Sequence, residues 1–477
     1  MNSYTVTFQP AGISVPAKAG TTLLQAQIAA GLHPDAPCGG KGTCGKCRVH
    51  LDGQEVLACQ TAVHRDLVVY TQAPQKAKIL TGGIRAETVP DGTGDYVLAF
   101  DIGTTTVVAY LLDGHTGKLL QEGSCLNPQG QFGADVISRI QHALAGGGEA
   151  LSRCIRQTLR NLTEEVCARQ NIRPEDISAA AIVGNTAMHH LLLEIDPSSL
   201  VIPPYMPAVS EAMEQGIARI LPNIAGFVGG DTVGCMVSTR FDRRKELTLL
   251  IDIGTNGEMV LGNKKRRIAC STAAGPAFEG AKISCGMRGA EGAVDHVFLK
   301  DGKISYHVLG EGQPRGLCGS GLLDLVAVLL DQEILDESGY LEGKEYRLCD
   351  NVVLTQKDVR EVQLAKAAIR AGIELLAQQM GIRVEEIQTV YLAGAFGNYL
   401  DPASACRIGM IPPVLLDRIV PIGNAAGEGA KLCALSNAEF QYSRQLAKET
   451  EFLELASLPQ FQDCYVDALE FAEEESL

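Results

Sequence analysis

Four cysteines near the N-terminus have the residue type and spacing to hold an iron–sulfur cluster. Cys38, Cys44, Cys47 and Cys59 follow the pattern C-x5-C-x2-C-x11-C, with glycines between the first three. Four thiolates can bind a [2Fe–2S] cluster, three from one loop and one from a distant segment. Glycines let the backbone wrap closely around such a cluster and let amide N–H groups point at its sulfurs. A structural zinc site and four free thiols are the alternatives, but zinc sites usually carry two CxxC-like pairs and this loop has one.

Two copies of an Asp-Ile-Gly-Thr turn predict a phosphate-binding cleft. Asp101–Thr106 (loop 1) and Asp252–Gly257 (loop 2) each follow an apolar stretch that predicts a strand. Such a turn points successive backbone N–H groups inward and forms an anion-binding concavity. One copy would be a weak signal, whereas two copies that face each other across a cleft indicate nucleotide binding. The residues that we expect to line these turns or to donate to phosphate are Gly103, Thr104, Thr105, Thr106, Gly254, Thr255, Asn256 and Gly257.

Acidic side chains in and around the two loops are the candidates for catalysis. Asp101 and Asp252 end their strands where a carboxylate can hold waters on Mg²⁺ between the loops. Asp231 and Glu258 can orient an attacking water, as general-base chemistry requires. Asp231 also follows two glycines in an apolar context, so a buried capping role is its alternative. Asn185 is a candidate phosphate contact.

Two further glycine-rich segments are candidates for the rest of a nucleotide site. One follows the apolar stretch that begins at Val390, and the other opens an apolar helix at 322–330. Either can bring backbone close to an adenine, ribose or phosphate at a helix N-terminus, and ordinary tight packing is the alternative. The residues concerned are Gly319, Ser320, Gly321, Gly394, Ala395, Phe396 and Gly397.

The pattern of elements predicts two unequal parts. A hairpin, a short helix after Thr22, the cysteine loop and further strands at 48–51 and 67–70 make an α+β, β-grasp-like plan within residues 1–75. The periodicity breaks over 71–95, and we interpret 76–95 as a linker that, if flexible, lets the small domain reposition. Strands then alternate with helices, as in the amphipathic stretches 151–169 and 362–380. Because the strand–turn–strand unit is repeated, we predict two similar α/β lobes, 96–245 and 246–477.

Composition narrows the classes of partner. The 477 residues carry 41 Lys and Arg against 56 Asp and Glu, a net charge of −15, which argues against nucleic acid. No apolar run approaches the roughly 18 residues that a bilayer requires, and no signal peptide is apparent. The 15 cysteines are an odd number scattered over a long chain, which is typical of a reducing cytosol. We therefore expect a cytoplasmic protein with neither a membrane nor a nucleic-acid partner.

The motifs resemble two known groups of proteins. The cysteine loop within its β-grasp plan resembles the plant-type ferredoxins, and its x11 gap is similar to ferredoxin domains embedded in larger enzymes. Loops 1 and 2 with the two glycine-rich segments resemble the superfamily of acetate and sugar kinases, heat-shock chaperone ATPases and actin. That resemblance implies two ribonuclease-H-like lobes that clamp Mg-ATP, with Gly394–Gly397 as the adenosine segment.

The combination of the two resembles the reductive activators of corrinoid enzymes. This resemblance implies an enzyme that uses ATP to help reduce cob(II)alamin in a partner protein to cob(I)alamin, with the electron supplied by the [2Fe–2S] cluster. The partner would be a methyltransferase corrinoid subunit or a corrinoid iron–sulfur protein, an upstream reductant would be required, and a homodimer is common in the superfamily. Relatives often carry an extra domain where this chain has about 25 residues. The further segments that carry the resemblance are Asn127–Gln129, Phe132–Ile140, Val183–His190, Val228–Thr232, Ala274–Gly280 and 423–427.

Three other functions remain open at the level of sequence. The chain could donate electrons to a different low-potential acceptor, as the activators of 2-hydroxyacyl-CoA dehydratases do, although those use a [4Fe–4S] cluster between two subunits. It could be a small-molecule kinase with a redox-sensing ferredoxin domain. It could also be a sensor or chaperone-like module whose ATP state reports cluster occupancy.

Overall fold

The computed structural model of the chain describes residues 3–32, 34, 36, 40, 42, 45–71, 80–92, 94–254 and 256–472. Cys38, Cys44 and Thr255, for which the sequence predicts binding roles, lie outside these ranges.

The N-terminal part folds as one mixed five-stranded sheet with a helix against it. The strand order is β2-β1-β5-β3-β4, with β1 and β5 parallel and the other neighbours antiparallel. Val6, Phe8 and Leu23 are fully buried in its small core. Its elements are β1 (Ser3–Gln9), β2 (Ile13–Lys18), α1 (Leu23–Ala29), β3 (Arg48–Leu51), β4 (Gln54–Leu57) and β5 (Leu67–Tyr70).

Local signals explain most of this domain. Thr22 caps α1 with a capping box that Gln25 completes, so the helix begins where the sequence predicts. The predictions missed β4, which is short and half polar. Its signal is the dipeptide Asp52-Gly53, in which both residues have positive φ, the requirement of a tight hairpin turn.

The first lobe is built on a six-stranded sheet in the order β10-β11-β9-β6-β7-β8. The predicted helix at 151–169 begins earlier, at Gly148, directly after a π-helical turn at Ala143–Gly147. The elements are β6 (Tyr96–Ile102), β7 (Thr106–Asp113), β8 (Leu119–Leu126), α2 (Val136–His142), α3 (Gly148–Ala168), β9 (Ile177–Gly184), α4 (Thr186–Leu193), β10 (Met213–Gln215), β11 (Ala218–Ile220) and α5 (Gly230–Thr239).

The second lobe repeats the first and adds to it. The predicted helix at 362–380 extends back to Gln356, where Thr355 and Asp358 form a capping box. The elements are β12 (Thr248–Ile253), β13 (Gly257–Gly262), β14 (Arg267–Thr272), β15 (Ala293–Lys300), β16 (Lys303–Val308), β17 (Gly316–Leu317), α6 (Gly319–Asp331), β18 (Glu345–Cys349), β19 (Val352–Thr355), α7 (Gln356–Met380), β20 (Thr389–Ala393), α8 (Gly394–Tyr399), α9 (Pro402–Arg407), β21 (Ile419–Gly423), α10 (Ala425–Leu435), α11 (Asn437–Glu449), β22 (Glu451–Phe452) and α12 (Phe461–Asp467).

Strand order reveals the internal repeat directly. The second large sheet runs β21-β20-β12-β13-β14-β22, so β14-β13-β12-β20-β21 matches β8-β7-β6-β9-β11 of the first lobe. In both lobes the first two pairs are antiparallel and the next two are parallel. A buried apolar cluster from both halves, which includes α5 and α10, joins the lobes. The two turns with the Asp-Ile-Gly-Thr motif are therefore the β6–β7 and β12–β13 turns of equivalent hairpins.

The segment between the N-terminal domain and the first lobe is more ordered than a flexible linker. Residues 80–92 bond to both lobes: the amide of Ile84 donates to the carbonyl of Ile422, and that of Ala86 to the carbonyl of Ser238. The hydroxyl of Tyr110 donates to the carbonyl of Thr81. The backbone of 80–92 is thus hydrogen-bonded to buried elements of both lobes, so these residues do not meet the condition of flexibility that repositioning of the small domain requires.

Within the part of the chain that the structure describes, no helix is both long and apolar enough to cross a membrane.

Candidate nucleotide cleft and cluster loop

A cleft of about 350 Å³ lies where the two hairpin turns face each other. Its walls combine elements that are far apart in the sequence, since the carboxyl ends of β6, β12 and β20 all reach it. Most of the residues that the sequence predicts for nucleotide and metal chemistry line it: Asp101, Gly103, Thr104, Thr105, Thr106, Asn185, Asp231, Asp252, Gly254, Asn256, Glu258, Gly319, Ser320, Gly394, Ala395 and Phe396.

Three predicted binding residues lie behind the wall of the cleft instead. Gly257 pairs with Thr272 within the sheet, and Gly321 lies against the carbonyl of Val294. Gly397 packs on Leu392. Gly321 and Gly397 lie in the two segments for which ordinary tight packing is the alternative to ligand binding, and their surroundings favour that alternative.

Sheet register explains why carboxylates meet on the loop 2 side of the cleft. Asp252 and Glu258 are directly opposite each other in the antiparallel β12–β13 pair, so their side chains lie on the same face. Asp231 approaches from the start of α5. Burial raises the pKa of Asp252 to about 6, and the nearby charge of Asp101 contributes to the rise. Burial, then repulsion by Asp231 and Asp252, raises the pKa of Glu258 well above its usual value.

Burial also raises the pKa values of the two remaining carboxyl groups, Asp101 and Asp231. Burial raises the pKa of Asp101 to about 6, although a hydrogen bond from Asn424 opposes the rise. For Asp231 burial is again the first cause of the raised pKa, followed by the charge of Asp252. Among the described residues, no three His, Cys, Asp or Glu side chains come together as direct ligands of a metal ion. The arrangement fits a hydrated cation, because these carboxylates would accept hydrogen bonds from the waters that the cation holds.

Residues from the far end of the chain close the cleft around the two aspartates. Asn424 caps α10 and donates from Nδ2 to Oδ2 of Asp101 at 2.8 Å. Gly394 has φ +78°, and a Cβ there would lie 2.6 Å from Oδ1 of Asp252. A side chain at position 394 would therefore displace the carboxylate, which explains the glycine.

Loop 1 is held by polar groups of the first lobe. Asn185 caps α4 by accepting from the amide of Met188, and its Nδ2 donates to Oγ1 of Thr104 at 2.9 Å. Thr105 reaches across the cleft, where its hydroxyl donates to Oε2 of Glu279 at 3.0 Å. The two lobes are thus hydrogen-bonded to each other at loop 1.

Sequence reasoning missed several residues of the cleft. Glu279, Arg288 and Asn424 line it, and Phe278 stacks on Phe396 with ring centroids 5.1 Å apart and planes 5° from parallel. Glu279 and Asn424 lie in segments that the sequence singles out by resemblance, but with no role for the individual side chain. Arg288 has no local signal, because only the fold brings 276–289 over loop 1.

The described part of the cysteine loop fits a thiolate-bound cluster. Cys47 and Cys59 are buried, and the amide of Cys59 donates to Sγ of Cys47 at 3.5 Å. Gly40, Gly42 and Gly45 have positive φ, so the chain turns as a wrapped loop requires. Two buried thiols with an amide aimed at one sulfur match the donor set and the hydrogen bonding of an iron–sulfur site. The other two predicted ligands lie outside the described residues.

The cysteine loop lies against the second lobe beside the cleft. Lys46, next to Cys47, donates from Nζ to the carbonyl of Gly280 at 3.1 Å and also to the carbonyl of Gly286. This segment continues into Met287 and Arg288, which line the cleft. The cysteine loop is therefore hydrogen-bonded to a segment that also lines the cleft.

His189 and His190, both on α4, are packing residues. His190 Nδ1 donates to the carbonyl of Thr186 at 2.8 Å, and its Nε2 accepts from the amide of Ala208 at 3.1 Å. Burial lowers the pKa of both His189 and His190, so both rings are neutral at pH 7.

Comparisons with known proteins match the whole plan. Residues 6–64 match the model of a 2Fe-2S iron-sulfur cluster binding domain, 96–244 that of the RACo middle region, and 246–477 that of the C-terminal domain of RACo, the ASKHA domain. The solved structure of a reductive activator for corrinoid, iron-sulfur protein is 29% identical, with a TM-score of 0.70 over 98% of both chains.

Two curated relatives have names that also refer to corrinoid proteins. The corrinoid activation enzyme RamQ of Eubacterium limosum is 32% identical over 91% of this chain and 94% of its own. That alignment is 558 residues long, more than the 477 of this chain, so the relative has segments that this chain lacks. The [Co(II) methylated amine-specific corrinoid protein] reductase of Methanosarcina barkeri is 25% identical over 79% of this chain and 77% of its own. With a ferredoxin-type domain, a duplicated ATPase fold and this degree of identity, the chain belongs to the RACo family of corrinoid activation enzymes.

Proposed function

We propose that this protein is an ATP-dependent reductive activator that reduces cob(II)alamin in a corrinoid protein to cob(I)alamin. The observation that carries the proposal is the contact of the cysteine loop with the edge of the nucleotide cleft through Lys46. In a reductase driven by nucleotide, binding of the nucleotide must affect the redox centre. Here segment 280–288 accepts hydrogen bonds from Lys46 of the cysteine loop and also lines the nucleotide cleft.

The cysteine loop supplies the electron donor. When bound, a [2Fe–2S] cluster supplies one electron at a time, at about −400 mV for the plant type. Cys47 and Cys59 hold it from the described part of the loop, and the amide of Cys59 stabilises the thiolate of Cys47. The full ligand set is Cys38, Cys44, Cys47 and Cys59.

The cleft binds Mg-ATP. Loop 1 receives the phosphates, with Asn185 fixing the hydroxyl of Thr104. Asp101 and Asp252 would accept hydrogen bonds from the waters of Mg²⁺, whose positive charge would offset the burial that raises the pKa values of both carboxyl groups. Asp231 and Glu258 orient the water that attacks the terminal phosphate.

ATP acts through the two lobes. A ligand shifts an equilibrium only by its different affinity for the two states. Because Thr105 of the first lobe bonds Glu279 of the second, phosphate at loop 1 changes the contact between the lobes. The neighbouring segment 280–286 bonds Lys46, so the same change reaches the cluster domain and the surface that receives the corrinoid protein.

The cellular setting follows from the chemistry. The partner is a methyltransferase corrinoid subunit or a corrinoid iron–sulfur protein, and a low-potential reductant reloads the cluster. The setting that we propose is a reducing cytoplasm, in which cysteines stay available as cluster ligands. A homodimer remains an expectation from the superfamily.

Anaerobic visible spectroscopy tests the proposal. The iron-loaded, reduced protein is mixed with a corrinoid protein held as cob(II)alamin, with and without Mg-ATP. We expect a cob(I)alamin band that forms only with Mg-ATP in the wild type, and that is lost in Cys59→Ser although nucleotide still binds.

The controls separate the parts of the proposal. Asp252→Asn keeps the cluster, so it should retain the cluster spectrum and lose the effect of ATP. Cobalt reduction that is equally fast and complete without nucleotide would contradict the proposed role of ATP. No band with several corrinoid partners, despite an intact cluster spectrum and measurable ATPase, would point to another electron acceptor.

A further inference from the structure

Loop 1 has a buried positive charge behind it. Arg139, on α2, is 1% exposed, although arginine is almost never fully buried without a charged partner. Burial lowers its pKa to about 10, so the guanidinium stays protonated at neutral pH. A buried charge costs much free energy unless an opposite charge or a full set of hydrogen bonds compensates it.

The described partners of this guanidinium are neutral. Its Nη2 donates to the carbonyl of Thr104 at 2.6 Å and its Nε to the carbonyl of Gly133 at 2.8 Å. Its Nη1 donates to Sδ of Met188, a weak acceptor, at 3.4 Å, and its contact with Oε1 of Gln129 is long at 3.5 Å. Within the described ranges no carboxylate forms an ion pair with Arg139, so its charge is balanced only from a distance.

Hydrogen bonds from the same side turn three consecutive carbonyls of loop 1 away from the cleft. The carbonyl of Gly103 accepts from Nδ2 of Asn127 at 2.8 Å, and that of Thr105 accepts from the amide of Asn127 at 2.8 Å. Arg139 holds the carbonyl between them, that of Thr104. In a trans peptide the carbonyl and the next N–H point in opposite directions, so the amides of Thr104 and Thr105 face the cleft. No described group accepts a hydrogen bond from these two amides.

We propose that Arg139 is the positioning residue of the phosphate site: it fixes the amides of loop 1 toward the cleft, and its charge is compensated by the phosphates of the bound nucleotide. The inference rests on the proposed function, since it requires nucleotide in this cleft. Arginine suits the role because its planar fork holds two carbonyls at once and keeps its charge when buried.

The other charged groups nearby agree with an anion at this place. Glu279 and Asp135 both attract the guanidinium from beyond ion-pair distance, and Arg288 repels it. Glu279 bonds Thr105 where the phosphate would enter, so an incoming phosphate takes the place of this carboxylate near Arg139. Arg288 lines the cleft directly and adds positive charge on the solvent side.

The test compares the affinities of ATP and adenosine, because only ATP carries the charge that Arg139 would compensate. Calorimetric titrations use the full-length protein and its Arg139→Met and Arg139→Lys variants. For Arg139→Met we expect ATP affinity to fall about 10- to 100-fold while adenosine affinity changes less than about twofold. For Arg139→Lys, which keeps the charge but not the fork, we expect a loss of about fivefold for ATP alone.

A matched variant isolates the phosphate effect from a loss of stability. Arg267→Met removes another buried cation. Arg267 is on β14, is paired with Glu449 of α11 and does not line the cleft. It should destabilise the protein without changing the ratio of ATP to adenosine affinity. If Arg139→Met does not fold, Arg139→Lys decides the question alone.

The outcomes separate this inference from the proposed function. An unchanged ratio in the folded Arg139 variants, with normal ATP binding by the wild type, would overturn the inference and leave the proposed function standing. Equal losses for ATP and adenosine would also overturn it, because they indicate a general collapse of the cleft. A wild type that binds no ATP would overturn both.

Discussion

Loops 1 and 2 are equivalent turns of a duplicated fold, yet their electrostatics are opposite. In the β6–β7 hairpin Asp101 is opposite Val108, whereas in the β12–β13 hairpin Asp252 is opposite Glu258. Loop 1 has Arg139 behind it, and loop 2 has a second carboxylate beside it. The duplicated fold contains the same hairpin twice, with different side chains around each turn. We propose that loop 1 binds phosphate and that loop 2 holds a hydrated cation and orients water.

The backbone of the two loops differs in the same direction. Four residues separate the paired Ile102 and Val107 in the first hairpin, whereas three separate Ile253 and Gly257 in the second. The extra residue of loop 1 provides one more peptide that can face an anion. A loop in which the carbonyls of residues 103, 104 and 105 are all hydrogen-bonded on the side away from the cleft is preorganised for that task.

Removal of the loop 2 carboxylate should give the largest effect, and it should act on the rate of hydrolysis. For Glu258→Gln we expect the turnover of ATP to fall about 100- to 10,000-fold, because the water loses its general base. Affinity for ATP should change little, since the phosphates bind at loop 1. Steady-state ATPase assays together with nucleotide titration measure both quantities. A variant that loses affinity and keeps its turnover would reverse the roles that we assign to the loops.

A change on the loop 1 side should have a smaller effect, and it should act on affinity. Asn185→Ala removes the bond to the hydroxyl of Thr104 and the N-cap of α4. We expect ATP affinity to fall about fivefold to tenfold and stability to fall by about 1 kcal/mol. Asn185→Ser, which can still cap the helix, should recover the stability and not the affinity. Loss of turnover at saturating ATP in both variants would contradict the division of work.

The two hairpins show what the sequence could predict. The Asp-Ile-Gly-Thr repeat predicts both turns because the signal is local: an apolar strand, an acidic residue and a glycine. Glu258 follows from the same local pattern, since the register of a tight hairpin places it opposite Asp252. Arg139, Glu279 and Asn424 have no such signal, because each reaches the cleft through the packing of elements that are remote in sequence.

The predicted binding glycines show the same difference between what is local in the sequence and what depends on the fold. Gly394 is at the cleft, while Gly257, Gly321 and Gly397 pack behind it, and a run of glycines in a sequence does not show which of them faces a ligand. The sequence also could not predict that residues 80–92 are ordered. A polar, proline-containing segment has the composition of a linker even where its backbone is hydrogen-bonded to two lobes.

The acidic side of the cleft should also cost stability when no nucleotide is present. The folded protein raises the pKa of Glu258, so above the ordinary value of 4.5 the folded state binds protons that the unfolded state has released. Stability of the nucleotide-free protein should therefore fall as pH rises above about 4.5. Glu258→Gln should reduce this slope and raise the Tm at pH 8 by a few degrees, about 1 kcal/mol. Denaturation at pH 5 and pH 8 measures the slope, and Val108→Ile at the equivalent position of the first hairpin should leave it unchanged. A slope that Glu258→Gln does not alter would mean that this side chain is not the strained group.

The smallest expected effect concerns the contact between the N-terminal domain and the second lobe. Lys46 bonds two carbonyls of 280–286, and each such bond contributes about 1 kcal/mol, so Lys46→Ala should weaken the docking without unfolding either part. We expect amide hydrogen exchange at 280–287 to rise about threefold to tenfold in the nucleotide-free protein. Lys18→Ala, on the exposed edge strand of the same domain, removes a cation of the same kind and should leave exchange unchanged. In the wild type, Mg-ATP should alter exchange in this segment, because phosphate at loop 1 displaces Glu279 next to it. If Mg-ATP changes exchange at loop 1 and leaves 280–287 unaffected, the nucleotide is sensed by the cleft alone, and the route from phosphate to cluster must run through another contact between the domains.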